Sequence, residues 1–128
     1  MELTTLFSGI RTCQSLLSAI LGKRGTRIQK KIEAVFLLQR AINHTRTFLN
    51  QNNQNYRPDE NLSDLWLNSF TAMISVDKEL AKQLRLKSKF WSNPQDWLSD
   101  ERLMEIIPNL SELENNCEEL LKELEKRL

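Results

Sequence analysis

The chain has 128 residues, 40% of them hydrophobic and 27% charged, which favours one folded domain over residues 1–128 and excludes a disordered chain. Three Gly and three Pro are too few for the many tight turns of a β-sandwich or barrel. The formal net charge of +1 is not that of a strongly basic nucleic-acid-binding protein.

The first predicted element is an amphipathic helix over residues 3–21, ended by Gly22 and Gly25. Glu2 precedes this segment and Arg11 interrupts its middle, so it matches neither a signal peptide nor a membrane-spanning helix. Since no other long apolar run follows, we expect a soluble, cytoplasmic protein. The apolar face has three- and four-residue spacing and consists of Leu3, Leu6, Phe7, Ile10, Cys13, Leu17, Ile20 and Leu21.

A second helix is predicted to begin near Thr26, which is a suitable N-cap residue. We expect Phe36 and Phe48 to widen its apolar face, and the polar tract 50–55 to form a surface loop. The face itself contains Ile28, Ile32, Val35, Leu38, Ile42, Thr45 and Leu49.

The third and fourth helices are predicted after Pro58 and after Asp77, which can cap the fourth. Lys87 lies on the apolar face of the fourth helix, so it should either extend to solvent or lie at the edge of that face. The apolar face of the third helix contains Leu62, Leu65, Trp66, Phe70, Met73 and Ile74, and that of the fourth contains Leu80, Ala81, Leu84, Phe90 and Trp91.

One or two short helices are predicted between Asn93 and Ile107, and Pro108 precedes a last helix with a regular leucine seam. That seam contains Leu110, Leu113, Cys117, Leu120 and Leu124. We interpret Cys13 and Cys117 as buried, reduced thiols, which favours a reducing compartment. The predicted fold is an all-α, antiparallel helical bundle of four long helices plus one or two short helices.

No combination of residues indicates catalysis. His44 is the one histidine, and it lies on the polar side of the second helix without a second ligand or base at a suitable spacing. Gly22 and Gly25 flank only two residues and follow no predicted strand, so they do not form a phosphate-binding loop. We therefore predict a protein that is not an enzyme and has no metal or cofactor.

Charge is unevenly distributed along the chain. Residues 3–32 contain six basic and no acidic side chains, whereas residues 100–128 contain nine acidic and four basic ones. The basic turn could pair with the acidic C-terminal helix, or it could be free to bind a ligand. The candidate partner-binding residues are Lys23, Arg24, Arg27, Lys30, Lys31 and Trp97.

These observations predict a non-enzymatic protein–protein interaction module, either an adaptor or a regulatory subunit, that binds another protein or itself. Small charged helical domains are common among bacterial accessory proteins, which is an analogy of fold alone. Two alternatives remain. The basic turn 23–31 could bind nucleic acid, or the amphipathic first helix could act on a membrane without stable insertion.

Overall fold

The computed structural model describes residues 20–22, 25–53, 55–94 and 110–128, with only the backbone of 111–113. This part of the chain is all-helical. Its four helices are α1 (Ile28–Gln51), α2 (Glu60–Met73), α3 (Lys78–Ser92) and α4 (Leu110–Lys126). They correspond to the second, third, fourth and last helices that the apolar spacing predicts.

The predicted helix count is not matched in the described residues. Four helices are present, but α2 and α3 have only 14 and 15 residues, so the detail of four long helices plus short ones needs correction. Of the first predicted helix only Ile20 and Leu21 are described, and both are helical. The short helices predicted up to Ile107 lie outside the described residues beyond Pro94.

Local sequence explains where the helices begin. Asp59 caps α2 by accepting a hydrogen bond from the Leu62 amide at 2.8 Å, and Asp77 caps α3 by accepting from the amides of Glu79 and Leu80. The predicted cap of α1 is wrong, because the N-cap residue is Arg27 and Thr26 donates its hydroxyl proton to the Ser75 carbonyl instead.

Neighbouring helices run antiparallel. α1 packs against α2 and α4, and α2 packs against α3. In the α1–α4 pair, Gln39 contacts Glu118 and the later Arg46 contacts the earlier Glu114. Antiparallel order in the α2–α3 pair follows from contacts of Ser63 with Ser88 and Ser92, and of Phe70 with Arg85.

The core confirms most of the predicted apolar faces. Trp66 and Trp91 are buried as expected, and Cys117 is buried as well. The other buried apolar residues of the predicted faces are Ile20, Val35, Leu38, Ile42, Leu49, Leu62, Met73, Leu80, Ala81, Leu84, Phe90, Leu110, Leu120 and Leu124. The C-terminal seam therefore packs inside the chain; the side chain of Leu113 and all of Cys13 lie outside the described residues.

Lys87 corrects the expectation that it extends to solvent or lies at an edge. Its side chain is buried, and its ammonium nitrogen lies 5.3 Å from the centre of the Trp66 ring. A cation over an indole face gains electrostatic stabilisation, which offsets part of the cost of burial. Burial nevertheless lowers the pKa of Lys87 from 10.5 to about 7.

Candidate functional site

A depression of about 320 Å³ lies between α1 and α4. Its lining comes mainly from one side of α1, because side chains three and four residues apart share a helix face. Glu114 of α4 closes the opposite side. We call this depression the α1–α4 groove, and it is lined by Phe36, Gln39, Arg40, Asn43 and Glu114.

Phe36 is the apolar member of this groove, and 52% of its surface is exposed. The prediction that Phe36 widens the buried face of α1 is therefore wrong. Val35 and Leu38 fill the buried face, and a helix turns by about 100° per residue, so Phe36 points away from Val35 and out of the core. Phe48, the other residue predicted to widen this face, is half-buried and packs edge-on against Trp91.

The carboxylates of α4 near the groove are already engaged. Glu114 forms an ion pair with Arg46, and Glu118 accepts a hydrogen bond from the Gln39 amide at 2.6 Å. Arg40 is exposed and has no ion-pair partner among the described residues. Among the described side chains that line the groove, Arg40 is thus a charged group without an ion pair.

The residues predicted for partner binding are only partly described. Lys23, Arg24 and Trp97 lie outside the described residues. Arg27 and Lys30 are exposed at the start of α1, as the basic-turn hypothesis expects.

Lys31 departs from that hypothesis, because it is buried rather than exposed. Burial and the nearby positive charge of Arg127 lower its pKa from the usual 10.5. Arg127 belongs to the last turn of the chain, where the sequence led us to expect acidic residues beside the basic turn. Among the described residues, the charge near Lys31 is therefore the cation Arg127. The ion pair between α1 and α4 lies elsewhere, between Arg46 and Glu114.

The residues that line the groove do not include His44, the histidine singled out from the sequence. His44 is exposed on α1, on the polar side that the sequence predicts. Within the described residues no three His, Cys, Asp or Glu side chains converge on a possible metal position. Over the same residues no helix is long and apolar enough to cross a bilayer.

The residues that line the groove are different from the partner-binding residues predicted from the sequence. Sequence reasoning missed Gln39, Arg40 and Asn43, although their positions on the polar side of α1 are readable from the helical period. The helical period could not show that the neighbouring helix leaves Phe36 half exposed. The chain matches no protein-family model, and no curated protein or solved structure is significantly similar to it.

Proposed function

We propose that this protein is a non-enzymatic interaction module of the cytoplasm, an adaptor or regulatory subunit, and that its α1–α4 groove binds a helix of a partner protein. The observation that carries the proposal is Phe36, an aromatic side chain half exposed at the groove in the middle of a 24-residue helix. Exposed aromatic residues beside polar ones are typical of interface anchors.

The partner that fits this groove is an amphipathic helix. α1 presents Phe36, Arg40 and Asn43 at helical spacing, so a helix laid along it would meet them in one row. An apolar side chain of the partner would cover Phe36. Burying apolar surface contributes roughly 25 cal/mol per Å².

Arg40 specifies the charge of that helix. Its guanidinium has no ion-pair partner among the described residues, whereas Glu114 and Glu118 are engaged by Arg46 and Gln39. An Asp or Glu of the partner could accept a bidentate pair from Arg40. We therefore expect an acidic, amphipathic helix.

The test compares proteins captured from the native host by the wild type and three variants, Phe36→Ala, Arg40→Glu and Leu67→Ala. Leu67 is the matched control, because it is an exposed apolar residue of α2 outside the groove. A partner should be retained by the wild type and Leu67→Ala and lost by the two groove variants. With the purified partner, Phe36→Ala should then weaken Kd at least about tenfold.

Two results would overturn the proposal. In one, all four proteins capture the same set, or Leu67→Ala loses the partner as well. In the other, the wild type is a dimer by analytical ultracentrifugation that Phe36→Ala converts to monomer, and the groove is then a self-association surface. Melting temperatures of the variants should stay near that of the wild type, since the changed side chains are exposed.

A further inference from the structure

Four helix termini lie at the same end of the described part of the molecule. α1 and α3 begin there, and α2 and α4 end there, because the neighbouring helices are antiparallel. One contact joins two of these termini: Thr26 donates a 3.1 Å hydrogen bond to the Ser75 carbonyl. The positive charge of Arg127 also contributes to the lowered pKa of Lys31. Segments distant in sequence therefore share one surface.

This surface is rich in cations, which come from three separate parts of the chain. We call it the basic end and define it by Arg27, Lys30, Lys31, Lys78, Lys126 and Arg127. All of these except Lys31 are exposed. Like charges repel, yet Arg127 lies close enough to Lys31 to lower its pKa.

The acidic residues of the same end offset this charge only in part. Asp77 is buried and its carboxylate caps α3, Glu79 is 3.6 Å from Lys82, and Glu123 is 3.6 Å from Arg127. Glu33 is exposed near the start of α1, and Glu125 is exposed on the last turn of α4. Lys30, Lys78 and Lys126 have no ion-pair partner among the described residues, so their charges are available to a ligand.

An exposed aliphatic side chain accompanies these cations. Ile74 directly precedes Ser75, the residue that Thr26 contacts, and 43% of its surface is exposed. The sequence predicts Ile74 on the buried face of the third helix, but α2 ends at Met73 and Ile74 is its C-cap residue. The basic end therefore combines cations with an apolar side chain.

We propose that the basic end docks on the surface of a bilayer that contains anionic phospholipids. Juxtaposed helix termini form a compact patch, and exposed cations at the same end as an exposed aliphatic side chain match anionic headgroups above an acyl layer. Lysine predominates, and a flexible point charge suits a fluid array of headgroups better than a fixed bidentate site. Such docking needs no membrane-spanning helix.

A nucleic acid fits this surface less well. Binding a single strand usually relies on aromatic side chains that stack on bases, and the segments 25–31, 74–80 and 122–128 contain none. Ile74 would also gain nothing from a phosphate backbone. This inference is independent of the proposed function, because none of the groove residues belongs to the basic end.

The test is co-sedimentation of the purified full chain with vesicles of phosphatidylcholine alone and of phosphatidylcholine mixed with phosphatidylglycerol. We expect binding to the mixed vesicles only, and we expect it to weaken as salt rises because the attraction is screened. The double variant Lys30→Glu/Lys126→Glu should weaken binding at least about tenfold. Ile74→Ser should weaken it about threefold, since an apolar contact is lost.

The matched control is Arg57→Glu/Lys89→Glu, which changes the net charge by the same amount at exposed positions outside the basic end. It should bind mixed vesicles nearly as well as the wild type. Three results would overturn the proposal: no binding to mixed vesicles, equal loss in both double variants, or binding to single-stranded RNA but not to vesicles. Circular dichroism of each variant separates lost binding from lost folding, and none of these readouts depends on Phe36.

Discussion

Thr45 links two helices through a polar contact inside the core. Its hydroxyl donates to the Ala41 carbonyl at 2.7 Å and accepts the indole N–H of Trp66 at 3.0 Å. Both residues are buried, so water cannot replace either bond at low cost. The sequence places Thr45 on an apolar face, and the structure gives the reason: the residue is buried and its hydroxyl accepts the N–H of Trp66.

Thr45→Val should lower the free energy of unfolding by about 1–3 kcal/mol, because the isosteric change leaves the buried N–H of Trp66 without its acceptor. The measurement is urea denaturation followed by tryptophan fluorescence. Thr71→Val is the control, since Thr71 also donates to the carbonyl four residues earlier but is exposed. Equal effects of the two changes would show that the Trp66 contact contributes nothing to stability.

At the scale of the helix, α4 is held to α1 by its apolar seam more than by its charges. Cys117, Leu120 and Leu124 are buried, whereas the ion pair of Arg46 with Glu114 is partly exposed. Exposed ion pairs contribute only about 0–1 kcal/mol each. The acidic residues therefore make the outer side of α4 polar, and the apolar seam stabilises its packing on α1.

Leu120→Asp should destabilise the protein by about 3–5 kcal/mol, because it removes core packing and buries a charge without a partner. Thermal unfolding measures the effect, and Lys122→Asp on the exposed side of α4 should change stability by less than about 0.5 kcal/mol. If Leu120→Asp left the melting temperature unchanged and reduced the oligomer size, the seam would be an interface between chains.

The seam of α4 and the core tryptophans were predictable from sequence because apolar spacing reports which side of a helix faces the core. Phe36 and Lys87 were not predictable in this way. Spacing places Phe36 next to an apolar face and Lys87 on one, but the outcome depends on the neighbouring helix. α4 leaves Phe36 half uncovered, and Trp66 of α2 supplies the ring on which Lys87 lies.

The contact between α2 and α3 also exceeds what apolar spacing can show. Ser63, Ser88 and Ser92 exchange hydrogen bonds of 2.8–3.3 Å with one another and with the helix backbones. Small hydroxyl side chains let two helix backbones approach while their polar groups stay satisfied. In the sequence, these serines look like ordinary surface residues.

For the whole molecule, the distribution of charge depends on topology more than on composition. The sequence left two alternatives open, a basic turn paired with the acidic C-terminal helix or one free to bind a ligand. Antiparallel packing brings Lys126, at the end of α4, and the following Arg127 to the start of α1. A basic end arises even though the formal net charge is only +1.

Stability of the whole domain should depend on pH through Lys87 and Tyr56. The pKa of Lys87 is about 7 in the folded protein, against 10.5 for the unfolded chain. Between these values the unfolded state binds more protons, so the free energy of unfolding rises with pH by at most about 1.4 kcal/mol per unit. Burial raises the pKa of Tyr56 from 10.0 to about 12, so stability should fall again between those values.

Urea denaturation at pH 6, 8 and 9.5 tests this dependence, because these values lie below and above the pKa of Lys87 in the folded protein, about 7. Lys87→Met should be more stable than the wild type at pH 6 and should flatten the rise above pH 7, because no buried ammonium remains to lose its proton. Lys89→Met, an exposed neighbour on α3, should keep the wild-type slope. Parallel profiles for the wild type and Lys87→Met would mean that the ammonium keeps its proton in the folded protein. The contacts of the ammonium would then stabilise its charged form by at least as much as burial destabilises it.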